Sequence, residues 1–111
     1  MTAAQRNKGA AAERRFVKWL REHGYPDARR YLAGDGRQPG DIDAIPAVCF
    51  DVKDRADCKP GTWMRQAEEE AGPSRLPVVI YWPPRDGEWI AMLRVTELLR
   101  LLEDDGREND T

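Results

Sequence analysis

The sequence predicts an α/β domain in which helices flank a mixed β-sheet. Three observations indicate this class. A long amphipathic segment opens the chain, a short β-branched run, LPVVIYW, forms the clearest strand, and a second helical segment precedes that run. Helical and strand periodicities distinguish the two kinds of element. The predicted order along the chain is α-β-β-β-α-β-β-α.

The first half of the chain supplies one helix and three strands. The helix runs from about Ala4 to His23, because Gly24 and the proline after it favour a stop. ARRYL (28–32) is a short strand, and the glycines and proline of 33–40 indicate a loop. The next two strands, DIDAI and AVCFDVKD, form a hairpin that turns at Pro46–Ala47.

The second half supplies the remaining four elements. TWMRQAEEEA is a helix that Gly72–Pro73 ends, and PPRDG turns the strand LPVVIYW into EWIAMLRV. Thr96 caps a last helix, ELLRLLE, whose first turn carries a glutamate where the helix dipole favours an anion. Residues 1–103 are therefore predicted as a single domain, and residues 104–111 as an acidic, frayed tail.

Length and composition narrow the class of protein. A chain of 111 residues suits one domain with a modest core. No apolar run is long enough to span a membrane, and the N-terminus lacks the apolar stretch of a signal peptide. Two cysteines and one histidine are too few for a disulfide framework or a structural zinc site. We therefore expect a cytoplasmic protein.

Charge is distributed unevenly along the chain. The net charge is −2, but residues 1–40 carry nine Lys or Arg and four Asp or Glu, whereas residues 97–111 carry two and six. Such asymmetry can mark a face that binds a polyanion. A solvated surface with an acidic tail explains the charge alone equally well.

Charged residues interrupt the two strands of the predicted hairpin. Side chains two residues apart share a face of a strand, so Asp51 and Lys53 project together, opposite Phe50. In the preceding strand, Asp41 and Asp43 share a face, and a hairpin register can bring Asp41 close to Asp51. Alternatively, Asp51 and Lys53 form a surface pair worth less than ~1 kcal/mol. For Asp43, a turn or strand-end position is the preferred interpretation.

A further acidic residue, Glu13, falls within the apolar stripe of the first helix, between Phe16 and Val17 on the helical wheel. A buried carboxylate without a partner costs several kcal/mol. An ion pair with Arg29 or Arg30 is one way to offset that cost. A divalent cation is the other, because three converging carboxylates, Glu13, Asp41 and Asp51, suit Mg²⁺.

The ordered set Glu13…Asp41…Asp51-Val52-Lys53 resembles the PD-(D/E)XK nuclease signature, with Pro39-Gly40-Asp41 in place of the strict Pro-Asp pair. Over roughly residues 7–82, the chain is most similar to the archaeal-type Holliday junction resolvases, which also occur in phages. The similar segments are NKGAAAERRFVKWLREHGY, ARRYLAGDG, GDIDAI, FDVKDR and WMRQAEEEAG. The chain departs from these resolvases in its acidic tail and its negative net charge. It also has Ala33 and Asp35 in the loop where these resolvases often carry a serine.

The resemblance implies a restriction-endonuclease-like fold and a metal-dependent, structure-specific DNA endonuclease. The implied metal ion is Mg²⁺, for which Mn²⁺ would substitute. Its ligands would be Asp41, Asp51, the Val52 carbonyl and Glu13. Lys53 would orient or activate the attacking water and neutralise developing charge. The implied catalytic set therefore consists of Glu13, Asp41, Asp51 and Lys53. Gln66 and Arg30 would have supporting roles.

The resemblance also implies the partners. Resolving a four-way junction needs two symmetric cuts, and hence a homodimer. A homodimer needs an apolar patch, which could be supplied by VVIYW, Trp89, Met92 and the leucines of the last helix. Core packing explains these residues equally well. The site of action would be the cytoplasm, or a host's cytoplasm for a phage protein. Candidate phosphate contacts are Arg6, Lys8, Arg14, Arg15, Lys18, Arg29 and Arg37.

Three alternatives remain open from the sequence. The chain could be a stand-alone nuclease acting on flaps, forks or other branched DNA, with the same active site. It could be a catalytically inactive DNA-binding or scaffolding module of the same fold, which would bind junctions without cutting them. It could also be a small α/β interaction domain in which the acidic residues are only surface charge.

Overall fold

Five strands form one mixed sheet in the computed structural model, which describes residues 3–31, 41–82 and 87–109 and, within these, the side chains of residues 9–104. The strands are β1 (Arg29–Arg30), β2 (Ile42–Asp43), β3 (Val48–Lys53), β4 (Leu76–Tyr81) and β5 (Ile90–Met92). They lie in the order β1-β2-β3-β4-β5. Neighbours are antiparallel except β3 and β4, which are parallel. The α/β class and the mixed sheet are therefore confirmed.

Three helices accompany the sheet: α1 (Ala3–Glu22), α2 (Pro60–Ala71) and α3 (Val95–Asn109). A short 3₁₀ turn, Gly72–Ser74, follows α2. Helix α2 provides the crossover between the parallel strands β3 and β4, a connection that two-residue turns cannot make. The predicted order of elements is confirmed.

Two faces of the sheet bury apolar side chains, because successive residues of β3 and β4 point to opposite sides. On one face, Phe50 and Val52 pack with the apolar stripe of α1, which includes Phe16 and Leu20. On the other, the α2 residues Trp63, Met64 and Ala67 pack with Val79 and Tyr81 of β4. The sheet thus lies between α1 and α2, and both sides of β3 are covered.

Several element boundaries differ from those predicted. Helix α2 begins at Pro60, where proline's fixed φ suits a first helical position. The cap predicted at Thr96 is wrong: α3 begins at Val95, and the amide of Leu98 donates to the carbonyl of Arg94, 3.1 Å away, so Thr96 lies within the first turn. Helix α3 continues to Asn109, through most of the segment predicted as a tail. The predicted loop 33–40 lies outside the described residues.

Among the helices described, none is both long enough and apolar enough to cross a membrane.

Candidate active site

A cleft of about 780 Å³ opens where the hairpin of β2 and β3 meets α1 and the last turn of α2. Its lining includes all four residues of the predicted catalytic set and the predicted supporting residue Arg30. The four are Glu13, Asp41, Asp51 and Lys53. Together with Arg30, these four residues come from α1, β1, β3 and the segment that enters β2, and the fold brings them to one opening.

The hairpin fixes the relation between Asp41 and Asp51. Ile42 pairs with Phe50 across the two strands, so the next position outward sets Asp41 opposite Asp51. The amide of Asp41 donates to the carbonyl of Phe50 at 2.9 Å. Its carboxylate Oδ2 accepts a hydrogen bond from the Val52 amide at 2.7 Å. The Asp41 carboxylate is thereby anchored beside β3.

Asp51 is buried, with only 4 % of its surface exposed, so the alternative of an exposed surface pair with Lys53 is wrong. The ammonium Nζ of Lys53 lies 3.5 Å from Asp51 Oδ1. The same Nζ donates to Gln66 Oε1 of α2 at 3.4 Å. Gln66 therefore lies beside the predicted catalytic lysine and restricts where its charge can point.

Glu13 lies at the edge of the α1 stripe, where 18 % of its side chain is exposed. Its Oε2 accepts a hydrogen bond from Arg30 Nε at 3.0 Å. One of the two predicted ways of offsetting this carboxylate, an ion pair with Arg30, is therefore present. Glu13 nevertheless faces the same cleft as Asp41 and Asp51.

Among the carboxyl groups of the cleft, Asp41 has the most strongly raised pKa. Burial, the largest cause, and repulsion from Asp51, Glu13 and Glu70 raise the pKa of Asp41 to about 8, against the lowering effect of the hydrogen bond from Val52. Neighbouring carboxylates of this cleft thus oppose the ionisation of Asp41. A cation bound among them would relieve that repulsion.

Glu70, in the last turn of α2, is a cleft residue that the sequence interpretation missed. Its Oε2 is buried and has no hydrogen-bond partner among the described residues. Burial raises the pKa of Glu70, and the charge of Asp51 raises it further. A signal was present, since Glu70 follows the buried Trp63 by seven residues and so shares its helical face.

The donor chemistry of the cleft suits a hard divalent cation, because carboxylate oxygens are the ligands that Mg²⁺ prefers. Acidic side chains outnumber basic ones in the described lining, six to three. The six are Glu13, Asp41, Asp51, Asp54, Asp57 and Glu70, and the three are Arg30, Lys53 and Arg55. Across the described ranges, no three His, Cys, Asp or Glu side chains converge closely enough to hold a metal in their present positions.

The residues predicted to contact phosphate are distributed over several environments. Arg14 and Lys18 are exposed on α1. Arg15 forms an ion pair with Asp54 at 2.8 Å, and Arg29 forms one with Asp43 at 3.1 Å. Asp43 is thus engaged outside the cleft lining, in agreement with its strand-end interpretation. The side chains of Arg6 and Lys8, and the whole of Arg37, lie outside the described residues.

No family model, no curated protein and no solved structure matches this chain. Its function must therefore be inferred from the chemistry of the cleft itself.

Proposed function

We propose that this protein is a metal-dependent endonuclease that hydrolyses phosphodiester bonds in branched DNA, with four-way junctions as the preferred substrate. The observation that carries the proposal is the meeting of Asp41, Asp51 and Lys53 in one cleft, with Glu13 facing them from α1. The resemblance to archaeal-type Holliday junction resolvases supplies the substrate class. The proposal includes a restriction-endonuclease-like fold, which is compatible with a hairpin followed by a parallel strand.

The residues present fit the Mg²⁺ that this activity requires. Asp41, Asp51, Glu13 and the Val52 carbonyl would hold the ion, and Mn²⁺ would substitute for it. The buried Glu70 oxygen has no hydrogen-bond partner among the described residues, and burial together with neighbouring carboxylates raises the pKa of Asp41. A cation bound among these groups would offset both costs. When bound, the ion would polarise the scissile phosphate and make a water easier to deprotonate.

The chain's own residues would position the reactants. The Val52 amide holds the Asp41 carboxylate, and Arg30 holds that of Glu13, so two acidic groups are oriented before any ligand arrives. Lys53, held between Asp51 and Gln66, would direct its ammonium group at the phosphate oxygens as their charge develops. Arg14 and Lys18 would contact the flanking phosphates. Such an enzyme would work in the cytoplasm of its own cell or, if phage-encoded, of its host.

A gel assay with three substrates tests the proposal. A synthetic four-way junction, a flap and a linear duplex are each incubated with Mg²⁺ and with chelator. We expect symmetric nicks in opposing arms of the junction, in Mg²⁺ only. Preferential cutting of the flap would indicate the stand-alone nuclease instead. Tight binding to the junction without cleavage in Mg²⁺ or Mn²⁺ would contradict the enzymatic proposal and favour a DNA-binding module.

Two symmetric cuts require two active sites, and we propose that α3 forms the interface of a homodimer. Among the described residues, α3 makes sparse contacts with other elements, and a two-point ion pair between Arg94 and Glu68 ties its start to α2. Its apolar residues are between 41 % and 68 % exposed, and are Val95, Leu98, Leu99, Leu101 and Leu102. Isologous pairing would cover this stripe with the same stripe of a second copy.

Charge along α3 favours the antiparallel arrangement of that pair. Within α3, residues 95–100 carry one arginine and one glutamate, whereas residues 101–109 carry four acids and one arginine. An antiparallel pair related by a two-fold axis would keep the two acidic halves apart, whereas a parallel pair would set them side by side.

We expect Leu98→Glu to weaken self-association about tenfold or more, because it buries a charge in the proposed interface. Sedimentation velocity over a concentration series measures this effect. Thr96→Glu introduces the same charge in the same turn of α3, but on its polar face, and should leave the dimer intact. Equal association of the wild type and both variants would exclude α3 as the interface.

A further inference from the structure

A continuous series of aromatic rings in contact, two of the pairs stacked and two at steep angles, joins α1 to the segments that flank residues 83–86. We name it the aromatic row and define it, in order of contact, as Trp82, Trp89, Phe16, Trp19 and His23. Successive ring centroids are 4.8, 5.3, 6.1 and 3.9 Å apart. The row thus links β4, the segment before β5 and the second half of α1.

The row is anchored in the core at one ring and reaches solvent at others. Phe16 is buried, and its edge contact with Phe50 at 5.5 Å fixes the row to the sheet. Trp19 is 37 % exposed, and His23 beyond it is exposed as well. Core packing therefore accounts for Phe16, whereas Trp19 stays partly exposed even though the exposed ring of His23 stacks on it.

Cationic side chains accompany the row. The guanidinium of Arg15 lies 5.7 Å from the ring centroid of Trp82 and 5.8 Å from that of Trp89. The same guanidinium forms an ion pair with Asp54, which lines the cleft. Arg14 and Lys18 are exposed on the same helix. Arg15 thus connects the row to a residue of the cleft, and the row includes residues of a helix that carries further exposed positive charge.

Aromatic faces interleaved with cations match the chemistry of a nucleic-acid strand whose bases are unpaired. Bases stack on aromatic side chains regardless of sequence, while Lys and Arg follow the phosphates. Paired bases keep their faces covered by their neighbours in the helix and do not need such a platform. An apolar protein partner would complement the rings but not the adjacent cations.

We propose that the aromatic row binds unpaired bases of a DNA strand, such as those that become accessible at the branch point of a substrate bound in the cleft. The role of the cleft rests on the function proposed above. Binding of single strands to the row does not require cleavage, and it can be measured without a metal ion.

Binding of a fluorescently labelled oligo(dT) strand in chelator tests this inference. Fluorescence anisotropy gives the affinity, and intrinsic tryptophan emission reports stacking, since Trp19, Trp82 and Trp89 belong to the row and only Trp63 lies elsewhere. We expect the strand to quench the wild-type emission. We expect Trp19→Ala to weaken binding by about fivefold or more, the effect typical of a lost base–aromatic stack, and Trp19→Phe to retain most of the affinity.

Tyr25→Ala is the matched control, because Tyr25 is 41 % exposed near the end of α1 but is not part of the row. Its affinity should equal that of the wild type. Unchanged affinity in Trp19→Ala, or an equal loss in Tyr25→Ala, would overturn the inference even if the protein cuts DNA in Mg²⁺. Row-dependent binding by a protein that cuts no substrate would support the inference while refuting the nuclease proposal.

Discussion

Asp51→Asn is expected to lower the rate of DNA cleavage by about 1000-fold or more. Metal-ion stabilisation of a transition state is worth several kcal/mol, and each ~1.4 kcal/mol is a factor of ten in rate. The amide that replaces the carboxylate carries no charge and is a weaker ligand for a hard cation. Single-turnover cleavage of a four-way junction in Mg²⁺ measures the effect.

The same variant should separate metal binding from folding. In chelator, its melting temperature should equal or exceed that of the wild type, because a buried carboxylate beside Asp41 has been neutralised. Adding Mn²⁺ should raise the melting temperature of the wild type by mass action but not that of the variant. Both measurements are independent of catalysis.

Asp43→Asn is the control for this comparison. It makes the same chemical change on the neighbouring strand β2. The side chain of Asp43 pairs with Arg29 and does not line the cleft. We expect near-normal cleavage and a normal response to Mn²⁺. If Asp51→Asn cuts DNA as fast as Asp43→Asn, Asp51 does not hold the metal and the assignment is wrong.

Stability of the metal-free protein is expected to fall as pH rises from 5 to 8. The pKa of Asp41 is about 8 in the folded protein and has an ordinary value of 3.8, so the folded state holds this proton more tightly than the unfolded chain. The stabilising effect of this bound proton is complete below the ordinary pKa of Asp41. It is lost as the pH rises through the pKa of Asp41 in the folded protein. With one proton linked to unfolding, the loss is on the order of 3 kcal/mol over that interval.

Urea unfolding in chelator at several pH values tests this expectation, with Asp41→Asn as the informative variant. Its amide oxygen can still accept the hydrogen bond from the Val52 amide, while the charge that repels Asp51, Glu13 and Glu70 is gone. The variant should therefore be the more stable protein at pH 8 and show a flatter pH dependence. A wild-type profile that is flat, or that rises towards pH 8, would contradict the electrostatic description of the cleft.

Much of the candidate site could be predicted because it depends on local geometry. Asp41 immediately precedes β2 and Asp51 lies in β3, two strands joined by a four-residue connection. Strand alternation sets Lys53 on the same face as Asp51. The buried state of that face was not predicted. It depends on α2, which covers the side of β3 that carries Asp51 and supplies Gln66 and Glu70.

The sequence by itself determined the order of the elements, the mixed sheet and the spacing of the acidic residues on the hairpin, because these follow from periodicity and short-range turns. Only the tertiary structure decided that Glu13 pairs with Arg30, that Glu70 enters the cleft and that rings from three separate segments meet in the aromatic row. Such contacts depend on how helices pack across a sheet. That packing is set by the shapes of many side chains at once and not by the spacing of any few along the chain.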